Sequence, residues 1–286
     1  MKRIGLAFGS LATLIAFLSI PPQGAEATFP GTNGKIAFEN IASDQVLTVN
    51  PDGSGLRRLA YGGTPSWSAD GSLIVYEGNV NDASLWVMNA DGTDQHVVVA
   101  GANSQFPVFA PDGTKILFLR NARPGGLWVV NVDGSGLTQI SSGNGLENRA
   151  DWSPDGSSIV FSRSGRIVLM HPDGTHQQPI TAGPYDYDPS WAPDGSQIAF
   201  GRDDFGAGRN DIWVMNADGS NQVNITAGLS RPSYSRPAWS PDGTMLVVHS
   251  EGGGLANLTL IASDGSWELN ISRSGPVDYP TWQPLP

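Results

Sequence analysis

One short phrase recurs along this chain about every 43 residues, and it constrains the fold more than any other feature. The phrase is Pro-x-Trp, a small residue, then Pro-Asp-Gly. It occurs at Pro65-Ser66-Trp67 with Ala69-Asp70-Gly71, and at Pro107-Val108-Phe109 with Pro111-Asp112-Gly113. Trp152 precedes Pro154-Asp155-Gly156, Pro189-Ser190-Trp191 precedes Pro193-Asp194-Gly195, and Pro237-Ala238-Trp239 precedes Pro241-Asp242-Gly243. A β-branched or aromatic segment follows each copy, for example Ile159 to Phe161 and Ile198 to Phe200. A second phrase alternates with the first: an apolar segment such as Ile212-Trp213-Val214-Met215, then Asp-Gly. Its Asp-Gly pairs begin at Asp52, Asp91, Asp133, Asp173, Asp218 and Asp264.

Strand-length apolar segments parted by Asp-Gly read as hairpins, because glycine reaches positive φ without steric cost. Each unit therefore has four strands, which we term A to D: A at Pro-x-Trp, B after Pro-Asp-Gly, C before the second Asp-Gly and D after it. Four strands in about 43 residues is the length of a propeller blade. No long segment keeps a 3.6-residue apolar period between the Gly and Pro breaks, so a helical repeat fails. The 36 Gly and 21 Pro, with only 15% charged residues, fit the same reading. The expected fold is all-β, a six-bladed propeller of four-stranded antiparallel blades.

The two ends fit together. The first unit has a B strand at Gly34-Lys35-Ile36-Ala37-Phe38 but no Pro-x-Trp ahead of it, and the chain finishes on Pro280-Thr281-Trp282 with nothing after it. A C-terminal strand joining the N-terminal blade completes the ring and removes two open edges. The competing arrangement makes Phe29-Pro30 the first inner strand. The expected core aromatics are Trp67, Phe109, Trp152, Trp191, Trp239 and Trp282.

These phrases, above all Trp-Ser-Pro-Asp-Gly at Trp152 to Gly156 and Trp239 to Gly243, resemble the TolB-like β-propeller repeat family. The resemblance covers residues 28–286 and implies a single propeller domain in a periplasmic setting. The family's namesake carries an α/β domain ahead of its propeller, and here the repeats begin about ten residues after the leader. Related repeats occur in prolyl-oligopeptidase-type enzymes, whose hydrolase domain has no room here.

The first 27 residues read as a signal peptide. Lys2 and Arg3 precede an apolar run from Ile4 to Ile20, then Pro21-Pro22 and the small-residue motif Ala25-Glu26-Ala27. Cleavage after Ala27 leaves an exported protein, periplasmic or secreted, with no membrane span. With no Cys in the chain it is not a lipoprotein, and disulfides, thiol catalysis and thiolate metal sites are excluded. Net charge is −11 without a basic run, which argues against nucleic acid.

Eleven acidic residues sit in the Asp-Gly turns and are explained as turn formers, since Asp bonds its own following backbone. None of these turns has the acidic density of a calcium loop. His171 and His176 flank one turn but lack a third ligand, so neither metal nor cofactor is expected. No nucleophile elbow, phosphate loop or zinc-helix motif occurs.

In a four-stranded meander the A–B and C–D turns share one face, the turn face, while the longer B–C and D–A connections share the other, the loop face. Variable loops on a rigid frame are where binding concentrates. The loop-face candidates are Glu147, Arg149, Tyr185, Asp186, Tyr187, Asp188, Arg202, Asp203, Asp204, Arg209, Arg231, Tyr234 and Arg236, rich in the Tyr and Arg of interface hot spots. The favoured function is a monomeric, non-enzymatic binding or scaffold protein for an envelope or extracellular protein, peptide or glycan. The alternative is a propeller-type lyase or hydrolase at the channel mouth.

Overall fold

The computed structural model describes residues 31–285 except 80–82, 102, 122–124, 143–146, 184, 205, 207, 231–232, 253–254 and 273–274. The leader and the alternative strand at Phe29-Pro30 lie outside the described residues. The strands run β1 (Thr32–Asn40), β2 (Gln45–Val49), β3 (Arg57–Tyr61), then β4 (Gly63–Trp67), β5 (Leu73–Glu77), β6 (Leu85–Asn89), β7 (His96–Val99). Next come β8 (Ser104–Phe109), β9 (Lys115–Arg120), β10 (Gly126–Asn131), β11 (Thr138–Gln139) and β12 (Glu147–Trp152), β13 (Ile159–Arg163), β14 (Arg166–Met170), β15 (Gln178–Pro179). The last are β16 (Asp186–Trp191), β17 (Gln197–Asp204), β18 (Arg209–Asn216), β19 (Val223–Asn224), then β20 (Ser233–Trp239), β21 (Met245–Gly252), β22 (Leu255–Ala262), β23 (Glu268–Asn270) and β24 (Val277–Leu285).

They form six four-stranded antiparallel sheets, each an uninterrupted meander except the first, whose order is β24-β1-β2-β3. The C-terminal strand thus takes the inner place of the first blade, with Thr32 opposite Leu285 and Asn40 opposite Val277. That settles closure in favour of the Pro280-Thr281-Trp282 strand. We number the blades one to six from this sheet onward.

The core is six separate seams between neighbouring blades. Trp239 packs with Ile212 and Val214 of blade five, and Trp282 with Leu258 and Leu260 of blade six. Phe109, Trp67, Trp152 and Trp191 hold the equivalent places in the other four seams. Each sheet is buried on both faces, which is why the B and C segments are nearly continuous apolar runs rather than alternating ones.

The recurrent Asp-Gly turns have distinct jobs. In the A–B turn after Trp152, Asp155 accepts from the Ser153 hydroxyl at 2.6 Å and the Ser157 N–H at 3.0 Å. Those bonds hold its carboxyl below the usual range, the Ser153 hydroxyl contributing most. In the C–D turns the glycine also packs against the preceding blade. Gly174 has φ +82°, and a Cβ there would land on the carbonyl oxygen of Ile140. Gly174→Ala combines left-handed strain with that collision, and is expected to destabilise by about 1–3 kcal/mol. A urea melt checks this; a loss near zero would mean that the seam yields freely.

Candidate functional site

Each inner strand carries its aromatic into a seam and the residue before it into the central channel. The channel-facing residues are Ser66, Val108, Asp151, Ser190, Ala238 and Thr281, all partly exposed, while the prolines preceding five of them are buried. The channel holds a cavity of about 170 Å³. On the turn-face side it ends at Ala69, Pro111, Pro154, Pro193, Pro241 and Pro284, and on the loop-face side its lining includes Thr64, Phe106 and Arg149.

Every inner strand is bulged just before this point. Pairing slips between Gly63 and Ser66, Gln105 and Val108, Glu147 and Ala150, Tyr187 and Ser190, and Ser235 and Ala238, and in β24 between Asp278 and Thr281. A bulge re-aims a side chain. Here it acts on the residue three before each aromatic: Thr64, Phe106, Arg149, Asp188, Arg236 and Tyr279. All but Arg149 have φ between +46° and +54°, a costly conformation for such side chains. We call these six residues the collar.

The collar residues reach one another around and across the ring. Phe106 of blade three meets Tyr279 of blade one with ring centroids 5.4 Å apart. Arg149, on the opposite blade from Tyr279, lies 5.4 Å from the centre of its ring, and Arg236 lies 4.5 Å from it. Arg236 binds Asp278 at 2.9 Å and reaches Asp188 at 3.9 Å. His249 Nδ1 stands 2.9 Å from Arg236 Nη1 and 3.2 Å from Asp278. Burial raises the Asp188 carboxyl above its usual range, partly opposed by Arg149 and Arg236.

Several loop-face candidates are held inside single blades. Glu147 pairs with Arg163 at 3.0 Å. Asp186 grips Arg202 through two hydrogen bonds, of 2.5 and 3.0 Å, and Arg202 stacks 4.6 Å from the Trp213 ring. Arg209 pairs with Asp211, which also accepts from Thr226 and Asn224. Buried Tyr234 donates to Glu268 at 2.6 Å. Tyr187 lays its ring on Gly201 beneath the mouth. Tyr185 is exposed on the loop face, and its carbonyl accepts from the Asp203 N–H at 3.1 Å. Arg231 and the side chain of Asp204 lie outside the described residues. Only Arg149, Asp188 and Arg236 of the candidates join the collar.

Sequence reasoning passed over Thr64, Phe106, Tyr279, Asp278, His249 and Asp151. Aligning the repeats and reading the column three before the aromatic would have collected the collar. His249 and Asp278 carry no such signal, because they meet only across the last seam.

His171 and His176 do face each other, with ring centroids 4.3 Å apart. His171 takes the turn place filled by Asn elsewhere, its N–H donating to the Thr175 carbonyl as that of Asn89 does to Thr93. Among the described residues no group of three or more His, Asp or Glu is arranged to hold a metal ion.

Two carboxyls near the channel give a pH signature. Burial, then the neighbouring Glu39, raises Glu77 from 4.5 to about 7. Burial raises Asp151 from 3.8 to about 6 against the N–H groups of Trp191 and Trp152. Between the ordinary and the raised values the folded state holds protons that the unfolded chain has released, so stability falls as pH rises through that window. The turn aspartates act oppositely and lose their contribution as pH falls below their ordinary range. Thermal midpoints are therefore expected to peak near pH 4–5 and decline toward pH 7. Glu77→Gln should flatten the decline; an unchanged slope would remove Glu77 as its source.

Residues 122–286 match the family described as the TolB beta propeller domain, which is more than half of the chain. The chain belongs to the TolB β-propeller family. No curated protein matches it in sequence. Among solved structures, TolB from Acinetobacter baumannii superposes with a TM-score of 0.77 at 20% identity, over 88% of this chain and 67% of that one. A chain of a nidogen/laminin complex gives 0.68 at 10% identity, over 87% and 98%. An oligogalacturonate lyase in complex with manganese gives 0.53 at 15% identity, over 84% and 73%. At such identities these likenesses show that the TolB propeller fold is shared, and nothing of what it carries. Among the described residues no helix of this TolB-family chain is long and apolar enough to cross a membrane.

Proposed function

We propose that the protein is an exported binding or scaffold protein that holds an envelope or extracellular protein, peptide or glycan at the loop-face mouth of its channel, without catalysis. The observation that supports this reading most is the collar. Five of the twelve non-glycine residues with left-handed φ among the described residues lie at this one level of the ring, and backbone strain gathered around a channel mouth points to function. Holding is favoured over turnover because Arg236, Asp188, Asp278 and His249 are engaged with one another. Export after cleavage at Ala27, as a single propeller domain from residue 28, belongs to the same reading and rests on the leader sequence.

A photo-crosslinking phenylalanine analogue at Tyr185, on the loop face, and another at Asp112, on the turn face, test the reading in the native cell. A discrete adduct from position 185 and none from 112 is expected. No adduct at 185, or equal adducts from both faces, would overturn it.

A further inference from the structure

We propose that the collar is a carboxylate site, in which Arg149 takes a carboxylate presented by a peptide as a chain terminus or an acidic side chain. This deepens the binding reading above and depends on it.

The arginines around the mouth are unequal. Arg163, Arg202, Arg209 and Arg236 each hold a carboxylate of their own blade or a neighbour at 3.0 Å or closer. Arg149 holds none within 4.0 Å among the described residues, and its guanidinium makes no hydrogen bond there; its neighbour is the Tyr279 ring. Five donors in a planar fork, partly buried and facing the channel cavity, match a carboxylate.

Besides Arg149, the polar side chains that line the cavity are hydroxyls, which can donate, and a single carboxylate. Ser66, Ser190 and Thr281 supply hydroxyls. The one charged acceptor, Asp151, already takes the N–H groups of Trp191 and Trp152 at 2.8 and 2.9 Å. Such a lining favours a ligand that brings acceptors. The turn-face aspartates oppose an anion weakly: they are exposed, and water and salt screen them within about 8 Å.

Size and shape favour a peptide group over a sugar. A cavity of about 170 Å³ between buried prolines suits one side chain or terminal residue. A pyranose would need an open aromatic platform, and Tyr279 is covered by Arg236 and Arg149 and flanked by Phe106.

Fluorescein-labelled hexapeptides of matched sequence provide the test by anisotropy: one with a free C-terminal carboxylate, one amidated with an internal Glu, one amidated with Gln instead. Labelled trigalacturonate is the fourth probe. At least one carboxylate peptide should bind about 10-fold or more tightly than the amidated Gln peptide, and Arg149→Gln should remove that advantage. Which carboxylate peptide binds distinguishes terminus from side chain. Arg149→Lys should keep part of the affinity, because it retains the charge without the fork. Asp151→Asn removes a negative charge lining the same cavity and should tighten binding several-fold. Arg149 has no ion pair within 4.0 Å among the described residues, but its charge helps to offset the buried Asp188 carboxylate, so a cooperative melt and a wild-type circular-dichroism spectrum, rather than an identical midpoint, serve as the folding control. Equal binding of the Gln peptide, indifference to Arg149→Gln, preference for trigalacturonate, or binding of no probe would overturn the proposal. An Arg149→Gln protein that still crosslinks from position 185 would sink the carboxylate site alone, whereas a wild-type protein that never crosslinks would sink the binding reading.

Discussion

Deleting Pro280 to Pro286 is expected to open the ring. The cut removes most of β24, the strand that pairs with β1 from Leu285 back to Val277. Trp282, only 4% exposed, leaves the last seam with it. So does Gln283, whose amide donates to the Gly71 carbonyl and accepts from the Lys35 N–H, tying blade one to blade two. The lost aromatic costs about 3–5 kcal/mol and each ladder hydrogen bond about 0.5–1.5 kcal/mol. That sum rivals the whole stability of an ordinary domain. The inner edge of β1 is also bared, and an unpaired strand recruits another chain. A midpoint lowered by about 10 °C or more, with oligomers on size exclusion, is the expected outcome. A truncated protein that melts within a degree of the full chain and stays monomeric would refute the closure.

Trp239→Ala and Trp191→Ala are each expected to destabilise by about 3–5 kcal/mol in denaturant melts. Each side chain fills a seam of its own, at 8% and 9% exposure, so truncation leaves a cavity between blades that cannot collapse without moving a sheet. Trp267, also on the sixth blade but 43% exposed, supplies the control: Trp267→Ala should cost little. Phenylalanine in place of Trp239 should recover most of the loss. The indole N–H has no acceptor among the described residues to forfeit, and Phe109 fills the same place in the third blade at 5% exposure. Equal, small losses at Trp191, Trp239 and Trp267 would mean that the seams are not where the stability resides.

The architecture was legible because its signals are local and repeated. Asp155 and Gly156 make a turn through their own next neighbours, and Trp152 marks an inner strand whatever lies around it. Six imperfect copies average out the errors in each. The site was legible only in part. Arg149, Asp188 and Arg236 were found because they lie on loop-face strands, but Glu147, Asp186, Arg202 and Arg209 look identical in a sequence to residues aimed at a partner. Glu147 meets Arg163 and Asp186 meets Arg202 across the paired strands of single blades, where register at a bulge decides which meet, and Arg209 meets Asp211 two residues along its own strand. Tyr279 was hidden for a different reason. It belongs to an inner strand supplied by the far end of the chain, so only the closed ring places it opposite Arg149.

The joining of the first blade by the last strand also sets a timetable. During synthesis β1 emerges early, and its inner neighbour is still missing until the final residues appear. Blades two to six can each form from contiguous sequence, but the two seams that flank blade one stay unfinished throughout. Pairing residue 32 with residue 285 is about as non-local as a contact in this chain can be, and such contacts form late and slowly. A chain with this wiring is held back from its closed shape until β24 is free to pair with β1. Under the export proposed above, that delay would be an asset, because the ring could not lock until strand β24 had crossed the membrane to meet β1.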